Sequence, residues 1–263
     1  MPAIRLMLHK APLVGAFFLL CVLHWPSLAA DRCAPPPDAR QVKVRYVHDG
    51  DTLVLADDTR VRLIGINTPE VAHDQQPAEP LAIRARDRLR QWLFQNKNQV
   101  LFLPGEQQHD RYGRALAYLW LPDGTDISAD LLRAGLGWLV AIPPNIRFID
   151  CHQQAQAEAQ AAARGVWKLD AYQPKASASL SLRTRGFQRI RGRVVRVNHG
   201  GGATWINLEG RFAIRIRDKD LPLFTPPPSR AWIGRELEVR GWVYRTRGEL
   251  RVNIGHPASL QRY

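Results

Sequence analysis

Three short polar motifs carry residue types that bind cations and phosphate groups. "DGDT" (49–52) supplies two carboxylates, "RLIGINTPE" (62–70) supplies an arginine, an asparagine and a glutamate, and "DRYGR" (110–114) supplies two arginines. Carboxylate and carbonyl oxygens are ligands of hard divalent cations, and guanidinium groups match phosphate oxygens. If the fold brings these motifs together, they form a site for a cation beside a phosphate.

Each motif also has a purely structural interpretation. Asp49-Gly50 is a common turn dipeptide, Arg62 suits the exposed face of a strand, "NTPE" (67–70) suits a helix entry, and "DRYGR" (110–114) suits a loop. Any one motif alone favours the structural interpretation. Their order and spacing along one chain favour a shared site.

In this order, the motifs resemble the active-site motifs of the thermonuclease family, typified by staphylococcal nuclease. "ADLLRAGLGWLV" (129–140) and "AQAAARGVW" (159–167) resemble its second and third helices, so the resemblance covers about residues 41–168. It implies an α+β fold that is mostly β with helices, namely an OB-type five-stranded barrel with about three helices. It also implies Ca²⁺-dependent hydrolysis of phosphodiester bonds in DNA and RNA.

The resemblance implies a cation site and a general base. Asp51 matches the principal calcium carboxylate, and the Thr68 carbonyl would be a further ligand. Glu70 matches the general base, or orienter, of the attacking water. Asn67 stands where a second metal carboxylate is usual. Because an amide offers an oxygen but no charge, we expect weaker Ca²⁺ binding, a preference for another divalent ion, or a site that binds nucleic acid without cutting it.

The resemblance also implies residues that hold the substrate. Arg62 and Arg114 match the pair that grips the scissile phosphate, where planar guanidinium groups meet the negative charge that builds up during hydrolysis. The other matched positions are expected to contact a neighbouring nucleotide phosphate (Arg111 and Tyr112) or to support the site (Asp49, Thr52 and Asp110). The loop histidines His48, His73 and His109 have no evident catalytic partner in the sequence, so a structural role is favoured for each.

The apolar pattern predicts the elements that position these motifs. Alternation predicts a strand over 41–47, then a strand, a turn at Asp57-Asp58 and a second strand. Further downstream the sequence predicts helices over 79–95, 126–140 (ending at Gly135 or Gly137) and 150–167 (ending near Gly165), and strands over 99–105 and 113–121.

A second module follows a predicted linker over 173–186. Residues 189–217 alternate strongly and predict three strands, the first two joined by a glycine turn at 200–202. A hairpin over 235–255, turning near Arg247-Gly248, adds two more. Five short strands in a small all-β segment predict a second OB-like barrel over 187–263.

The positive charge is concentrated in this second module. The chain has a net charge of +13, and residues 175–263 carry 18 Lys or Arg against 6 Asp or Glu, whereas 31–174 carry 17 against 18. Nucleic acid is the first candidate partner. An anionic membrane surface or lipopolysaccharide is the second, and a merely soluble basic face is the third. Trp205, Trp232 and Trp242 suit either base stacking or positions in the core or rim of the barrel.

The N-terminus has the pattern of a secretory signal. Arg5 and Lys10 precede an apolar run over 11–23, and small residues suit cleavage after Ala29 or Ala30. An uncleaved membrane anchor is the alternative. Cleavage predicts export to a periplasm or beyond, with no stable membrane span left in the mature protein.

Removal of residues 1–30 would leave two cysteines, Cys33 and Cys151. In an oxidising compartment the simple expectation is one disulfide, and two unrelated thiols are the alternative. The predicted organisation is therefore a signal (1–30), a catalytic domain (31–172), the linker (173–186) and the basic OB-like domain (187–263).

These observations predict an exported, Ca²⁺-dependent endonuclease that acts on DNA and RNA without strong sequence preference. The basic module would grip the nucleic acid, and no protein partner is evident from the sequence. Two alternatives belong to other classes: a nucleic-acid-binding protein with a weak or inactive nuclease barrel, and an envelope protein whose basic module binds anionic surfaces.

Overall fold

The first barrel is a closed sheet of five strands in the spatial order β1-β2-β3-β6-β5. All its neighbours are antiparallel except β3 and β6, which run parallel. This order confirms the predicted OB-type barrel. The strands are β1 (Arg40–Val47), β2 (Thr52–Leu55), β3 (Arg60–Leu63), β5 (Gln99–His109) and β6 (Ala115–Trp120).

The computed structural model describes residues 33–73 and 76–263. The predicted signal segment, 1–30, lies outside the described residues. Across the part of the chain that is described, no helix is both long enough and apolar enough to cross a membrane.

Local sequence explains the strands and turns of this barrel. Val61 is fully buried between the more exposed Arg60 and Arg62, and Leu53 and Leu119 are likewise almost fully buried in the core. The turn between β2 and β3 falls at Asp57-Asp58, as predicted. Asp57 Oδ1 accepts a hydrogen bond from the Thr59 amide at 3.0 Å, and Asp58 has a positive φ of 69°.

Three α-helices pack around the barrel within the described residues: α1 (Ala82–Gln95), α2 (Ile127–Arg133) and α3 (Ile149–Ala161). One face of α1 is buried through Ala85, Leu89 and Trp92, as its periodicity predicts. Asp126 caps α2 by accepting a hydrogen bond from the Ala129 amide at 2.8 Å. Both α2 and α3 end earlier than their apolar patterns extend.

Two short strands were not predicted from the sequence. β4 (Gly65–Asn67) and β7 (Trp138–Val140) form an antiparallel pair in which Asn67 lies opposite Trp138. A side chain at Gly137 would overlap the carbonyl oxygen of Asn67, with its Cβ only 2.6 Å from that atom. Glycine at 137 therefore allows the chain after α2 to pair with β4.

The second barrel has the same strand order as the first. Its ring is β9-β10-β11-β13-β12, closed by pairing of β12 with β9, and β11 and β13 are its parallel neighbours. The predicted turns at 200–202 and at Arg247-Gly248 join β9 to β10 and β12 to β13. The strands are β9 (Gly186–His199), β10 (Ala203–Leu208), β11 (Phe212–Arg217), β12 (Glu236–Thr246) and β13 (Glu249–Asn253).

Two further strands extend this sheet at its edges. β14 (Leu260–Arg262) pairs with β12, and β8 (Lys175–Ala176) pairs with β9. The segment predicted as a linker, 173–186, therefore contains a strand of the second sheet. It also contains the buried Ser177, so part of this connection is packed against the barrel.

Aromatic rings join the two barrels. Trp138 of β7 packs edge-on against Tyr172 at 4.8 Å and also contacts Phe187 of β9 at 5.3 Å. Phe187 in turn packs edge-on against Trp242 of β12 at 5.1 Å. A continuous row of rings thus connects β7, which pairs with β4 of the first barrel, to the second barrel.

Buried charge also lies at this junction. Arg240 is buried and donates from Nη2 to the Ala258 carbonyl at 2.6 Å, and burial lowers its pKa to about 10. Arg189 donates from Nε to Glu238 Oε1 at 2.7 Å and from Nη1 to the Tyr172 carbonyl at 3.1 Å. Of these contacts, the one from Arg189 to Tyr172 crosses from the second barrel to the segment that follows the first, and it adds to the row of rings between them.

A disulfide links the start of the described chain to α3. Cys33 and Cys151 are bonded and are separated by 118 residues in sequence. The carbonyl of Cys33 also accepts a hydrogen bond from Trp120 Nε1 at 2.6 Å. The segment before β1 is therefore fixed against both β6 and α3.

Gly65, at the start of β4, is expected to tolerate no side chain. Its φ is +88°, and a Cβ there would overlap the ring of His152. Gly65→Ala should lower the free energy of unfolding by about 3 kcal/mol or more, because strain and overlap add. Urea denaturation followed by circular dichroism measures this.

Gly124→Ala is the matched control for Gly65→Ala. Gly124 has a similar φ of +90°, but the nearest atom to its Cβ position is at 3.6 Å. Gly124→Ala should lower the free energy of unfolding by only about 1 kcal/mol, because backbone strain is its only cost. Equal losses for the two variants would show that contact with His152 does not constrain Gly65.

Candidate active site

Two of the three motifs, "RLIGINTPE" and "DRYGR", line one cleft of about 1050 Å³. The third, "DGDT", does not line it but reaches it through the contact of Asp51 with Arg62. The β3–β4 segment forms one wall and the loop between β5 and β6 forms another. Residues of the second barrel also reach it. The lining side chains with polar or aromatic chemistry include Arg62, Asn67, Glu70, Asp110, Arg111, Tyr112 and Arg114 from the first barrel, and Arg217 and Trp242 from the second.

Arg62 is the central contact of the site. Its Nη1 lies 2.8 Å from Asp51 Oδ2 and donates to the Ile66 carbonyl at 3.0 Å. Its Nη2 donates to Asn67 Oδ1 at 3.0 Å. One guanidinium group therefore joins the β1–β2 turn to β4. The planar shape of the group, which lysine lacks, makes this bridging possible.

Asp51 is a buried carboxylate held by several donors. Its Oδ2 accepts a hydrogen bond from the Thr68 amide at 2.6 Å, and its Oδ1 accepts one from the Thr52 hydroxyl at 3.1 Å. The Asp51 amide donates to Asp49 Oδ1 at 2.9 Å, which fixes the turn. Burial raises the pKa of the Asp51 carboxyl to about 7, against the opposing effect of Arg62.

The donor set suits a hard divalent cation. Asp51 offers a carboxylate, Asn67 an amide oxygen and Thr68 a carbonyl oxygen, and oxygen ligands of this kind are those of Ca²⁺ and Mg²⁺. The hydroxyl oxygen of Thr68 is buried and has no hydrogen-bond partner among the described residues. A buried polar atom left unpaired in this way is consistent with a site that takes a further polar group.

Gly50 brings the β1–β2 turn close to Thr68. A Cβ at Gly50 would lie 2.8 Å from the side chain of Thr68 and 2.7 Å from Ala85 of α1. A glycine at this position therefore permits the short hydrogen bond between Asp51 and the Thr68 amide.

A second group with metal-ligand residue types is structural. Asp126, Cys151 and His152 lie close together and are buried. The Cys151 sulfur is in the disulfide, so it is not a thiolate ligand. His152 Nε2 lies 3.2 Å from Asp126 Oδ2, and this contact joins α3 to the cap of α2.

Glu70 presents a carboxylate to the cleft. Its backbone is fixed by a pair of contacts with Glu79: the Glu70 amide donates to Glu79 Oε2 at 3.0 Å, and the Glu79 amide donates to the Glu70 carbonyl at 2.9 Å. Burial raises the pKa of its side chain, and the charge of Asp49 adds to this effect while Arg62 opposes it. A carboxylate with a raised pKa is a better proton acceptor.

Asp110 orders the loop that carries Arg114. Its Oδ1 accepts hydrogen bonds from the amides of Tyr112 at 2.8 Å and Arg114 at 3.0 Å, and its Oδ2 accepts one from Arg114 Nε at 2.7 Å. Burial acts to raise the pKa of Asp110, but these hydrogen bonds outweigh it and the pKa is lowered. The hydrogen bond from Nε therefore fixes the orientation of the Arg114 guanidinium group.

Arg111 and Tyr112 form the outer edge of the cleft. Tyr112 is 64% exposed, and its hydroxyl accepts a hydrogen bond from Arg111 Nη2 at 2.6 Å. The guanidinium groups of Arg111 and Arg114 lie over its ring at 4.7 and 5.5 Å from the centroid. The loop therefore presents two cations and one exposed ring side by side.

The three loop histidines lie outside the set of described residues that line the cleft. His48 contacts Asp49 Oδ2 at 3.2 Å, and His73 Nδ1 lies 3.1 Å from the Val71 carbonyl. His109 is the last residue of β5.

Sequence reasoning missed Arg217 as part of this site and named Trp242 only as one of three tryptophans suited to base stacking or to the barrel itself. Both residues belong to strands of the second barrel. No local pattern relates either to the nuclease-like motifs, since their place at the cleft depends on the packing of one barrel on the other.

Comparison with known proteins identifies a family. Residues 60–169 match the family described as Staphylococcal nuclease homologue. The chain is 34% identical over 128 residues to the thermonuclease of Staphylococcus intermedius, covering 48% of this chain and 74% of that protein. It is 33% identical over 129 residues to the thermonuclease of Staphylococcus hyicus, with the same coverage. It is also 29% identical over 128 residues to Endonuclease YncB of Bacillus subtilis (strain 168), covering 47% and 60%.

Removal of the Asp110 carboxylate should loosen the loop that carries Arg114. Asp110→Ala deletes three hydrogen bonds, and those to an ionised acceptor contribute about 1.5–3 kcal/mol each. Amide hydrogen exchange at Tyr112 and Arg114 should accelerate by about tenfold or more, while exchange in α1 stays unchanged. Exchange measured by NMR at these amides tests this.

Asp123→Ala is the matched control for this experiment. Asp123 Oδ1 accepts a hydrogen bond from the Thr125 amide at 2.9 Å in a neighbouring turn. Removal of this carboxylate should accelerate amide exchange near Thr125 and leave the exchange rates of the Tyr112 and Arg114 amides unchanged. If both variants alter the whole barrel alike, Asp110 has no local ordering role.

Proposed function

The chain belongs to the staphylococcal nuclease homologue family, and on that premise we propose that it is an exported, divalent-metal-dependent endonuclease. Its substrates are DNA and RNA, cut at phosphodiester bonds without strong sequence preference. One observation carries the proposal: Arg62, which lines the cleft together with Glu70 and Arg114, bridges Asn67 and the buried Asp51 behind it.

The residues of the cleft divide the work of phosphodiester hydrolysis. Arg62 and Arg114 bind the non-bridging oxygens of the scissile phosphate and meet the charge that grows there. Glu70 accepts a proton from the attacking water while the water oxygen forms its bond to phosphorus. The bond from phosphorus to the leaving sugar oxygen breaks, and that oxygen takes up a proton from solvent. Arg111 and Tyr112 hold the neighbouring nucleotide phosphate.

Asp51, Asn67 and the Thr68 carbonyl would hold the metal ion, which we propose to be Ca²⁺. When bound, such an ion supplies Lewis-acid stabilisation of the phosphoryl oxygens. The charge of this donor set is small, because Asn67 is neutral and Asp51 is in contact with Arg62. The affinity for Ca²⁺ is therefore expected to be modest, and other divalent ions are expected to compete for the site.

The disulfide supports export. Structural disulfides form and persist in oxidising compartments such as the periplasm and the extracellular space. The bond between Cys33 and Cys151 closes a long loop and ties the chain before β1 to α3. This agrees with the secretory pattern of residues 1–30, and we propose a periplasmic or secreted location.

A second candidate function is nucleic-acid binding without efficient cutting. The observation that favours it is the contact between Arg62 Nη2 and Asn67 Oδ1, because this amide oxygen is the one that a cation would need. The basic second barrel would then supply most of the affinity.

Arg114→Lys tests the phosphate role with the charge retained. Lysine lacks both the planar fork and the Nε contact to Asp110, so kcat on plasmid DNA and on RNA should fall by about 10²–10³-fold, as for the loss of one oxyanion-hole donor. The activity of the wild-type protein should also disappear in EDTA and return when Ca²⁺ is added. Gel-based cleavage rates across Ca²⁺, Mg²⁺ and Mn²⁺ give the readout.

The control for Arg114→Lys is Arg133→Lys. Arg133 is held by Asp130 and Glu158 on α2 and α3, outside the cleft. Its replacement should change kcat by less than about twofold. A wild-type protein that binds nucleic acid but cuts none in any of these metals would overturn the nuclease proposal and favour the binding function.

Asn67→Asp should tighten Ca²⁺ binding by about tenfold. It adds a second charged oxygen to the donor set, and one full charge at contact distance contributes on the order of 1 kcal/mol or more near a protein surface. Isothermal titration calorimetry with Ca²⁺ measures this directly and needs no substrate.

Gln107→Glu is the matched control for Asn67→Asp. Gln107 lines the same cleft, and its amide group contacts the His109 carbonyl instead of Asp51 or Arg62. If Gln107→Glu strengthens Ca²⁺ binding as much as Asn67→Asp does, the gain comes from general charge in the cleft. Unchanged affinity in Asn67→Asp would show that Asn67 is not a ligand.

A further inference from the structure

Trp242 lines the catalytic cleft although it belongs to the second barrel. It is 44% exposed, which is unusual for a large aromatic side chain in a well-packed sheet. Its neighbours along β12, Gly241 and Val243, are buried. The indole therefore stands on the outer surface of the barrel and faces the cleft.

The position of Trp242 is fixed from behind. Phe187 is its pairing partner across β9 and β12, and the two rings meet edge-on at 5.1 Å and 74°. Phe187 contacts Trp138, which lies opposite Asn67 in the β4–β7 pair. A short series of packed rings thus sets the distance between the exposed indole and the phosphate-binding residues.

Arg217 provides a cation at the same place. It ends β11 and lines the cleft together with Trp242. Its Nε donates to Asp220 Oδ2 at 2.7 Å, and the Asp220 carboxylate is almost fully buried. Because Nε is held in this way, the guanidinium is ordered in advance of binding. Ile142 of the first barrel, 53% exposed, adds apolar surface to this end of the cleft.

The outward face of the second barrel continues this chemistry away from the cleft. Arg251 and Arg215 lie over the ring of Trp205, at 4.6 and 5.7 Å from its centroid. Tyr244 lies opposite Arg251 in the β12–β13 pair. Surfaces of this kind bind single-stranded nucleic acids, because the bases stack on the aromatic rings and the arginines neutralise the phosphates. Trp232, in contrast, is buried in the core.

We propose that Trp242 and Arg217 form a nucleotide subsite that takes an unpaired base and its phosphate next to the scissile bond. The inference rests on the proposed function and deepens it, because it makes single-stranded nucleic acid the preferred substrate. The base stacks on the exposed indole, and Arg217 binds the adjoining phosphate. The strand then continues over Arg251 and Trp205.

The preference for single strands follows from the availability of the base. In a duplex each base is already stacked and paired, so contact with Trp242 requires opening of the helix. An unpaired base has both faces free and stacks on an aromatic side chain whatever its identity. The subsite therefore discriminates by strandedness and is tolerant of sequence.

Binding in EDTA tests the subsite without cleavage. Fluorescence anisotropy would give the Kd of the full chain for a labelled 12-nucleotide single strand and for the blunt duplex of the same sequence. Trp242→Leu should weaken single-strand binding by about tenfold and duplex binding by less than about twofold. Trp242→Phe, which keeps a ring, should restore most of the single-strand affinity.

Phe94→Leu is the matched control for Trp242→Leu. Phe94 lies on α1, is 83% exposed and is outside the cleft, so its removal takes away an exposed ring at an unrelated place. In Phe94→Leu, the affinities for the single strand and for the duplex should both stay within about twofold of the wild-type values. Arg217→Gln should in addition lower the slope of log Kd against log salt concentration for the single strand by about 0.7.

The subsite and the nuclease activity can fail separately. With Ca²⁺, Trp242→Leu should lower kcat/KM for the single strand by about tenfold. Hydrolysis of methyl nitrophenyl phosphate, a phosphodiester that carries no base, should change by less than about twofold, since that small substrate has nothing to stack on Trp242. Equal single-strand affinity in wild type and Trp242→Leu would overturn the subsite, whatever the cleavage result. Binding that depends on Trp242 in a protein that cuts neither substrate would overturn the nuclease proposal alone.

Discussion

The contact of Arg62 with Asp51 and Asn67 is the interaction on which the rest of the site depends. Asp51 is buried, and a carboxylate removed from water is costly unless a positive group or hydrogen-bond donors compensate it. Arg62 and the Thr68 amide provide that compensation, at 2.8 and 2.6 Å. The same guanidinium fixes β4 through the Ile66 carbonyl. One side chain therefore stabilises the turn and also orders the proposed phosphate site.

The two barrels share a topology but divide the chemistry. The first barrel is close to neutral and carries the carboxylates and the arginines that we propose to bind phosphate, whereas nearly all of the excess positive charge lies in the second. A catalytic site needs acids to hold a cation and accept protons, and a large positive field around them would weaken both roles. Placing the positive charge on a neighbouring barrel keeps the attraction for a polyanion without that penalty. The ring contacts from Trp138 to Trp242 bring the two surfaces to one cleft.

Local sequence predicted the elements that have a clear period or turn. β2 and β3 with the turn at Asp57-Asp58, and α1 with its buried face, follow from alternation and helical spacing. The five strands of the second barrel follow from the same rule. β4 and β7 escaped prediction because each has three residues, too few to show a period. The ends of α2 and α3 were also placed too late, because their apolar pattern continues into segments that pair or turn.

The sequence by itself determined which chemical groups the protein has and in what order, because motifs such as "DGDT" and "DRYGR" depend only on neighbouring residues. It also indicated the disulfide, since two cysteines remain after the predicted signal. Only the tertiary structure decided that β4 meets β7, whose residues Asn67 and Trp138 are 71 positions apart, and that Trp242 lines the same cleft as Arg62. The physical reason is that propensity and periodicity act over a few residues. The choice of partner for a strand or a ring depends instead on packing between segments that are remote in the chain.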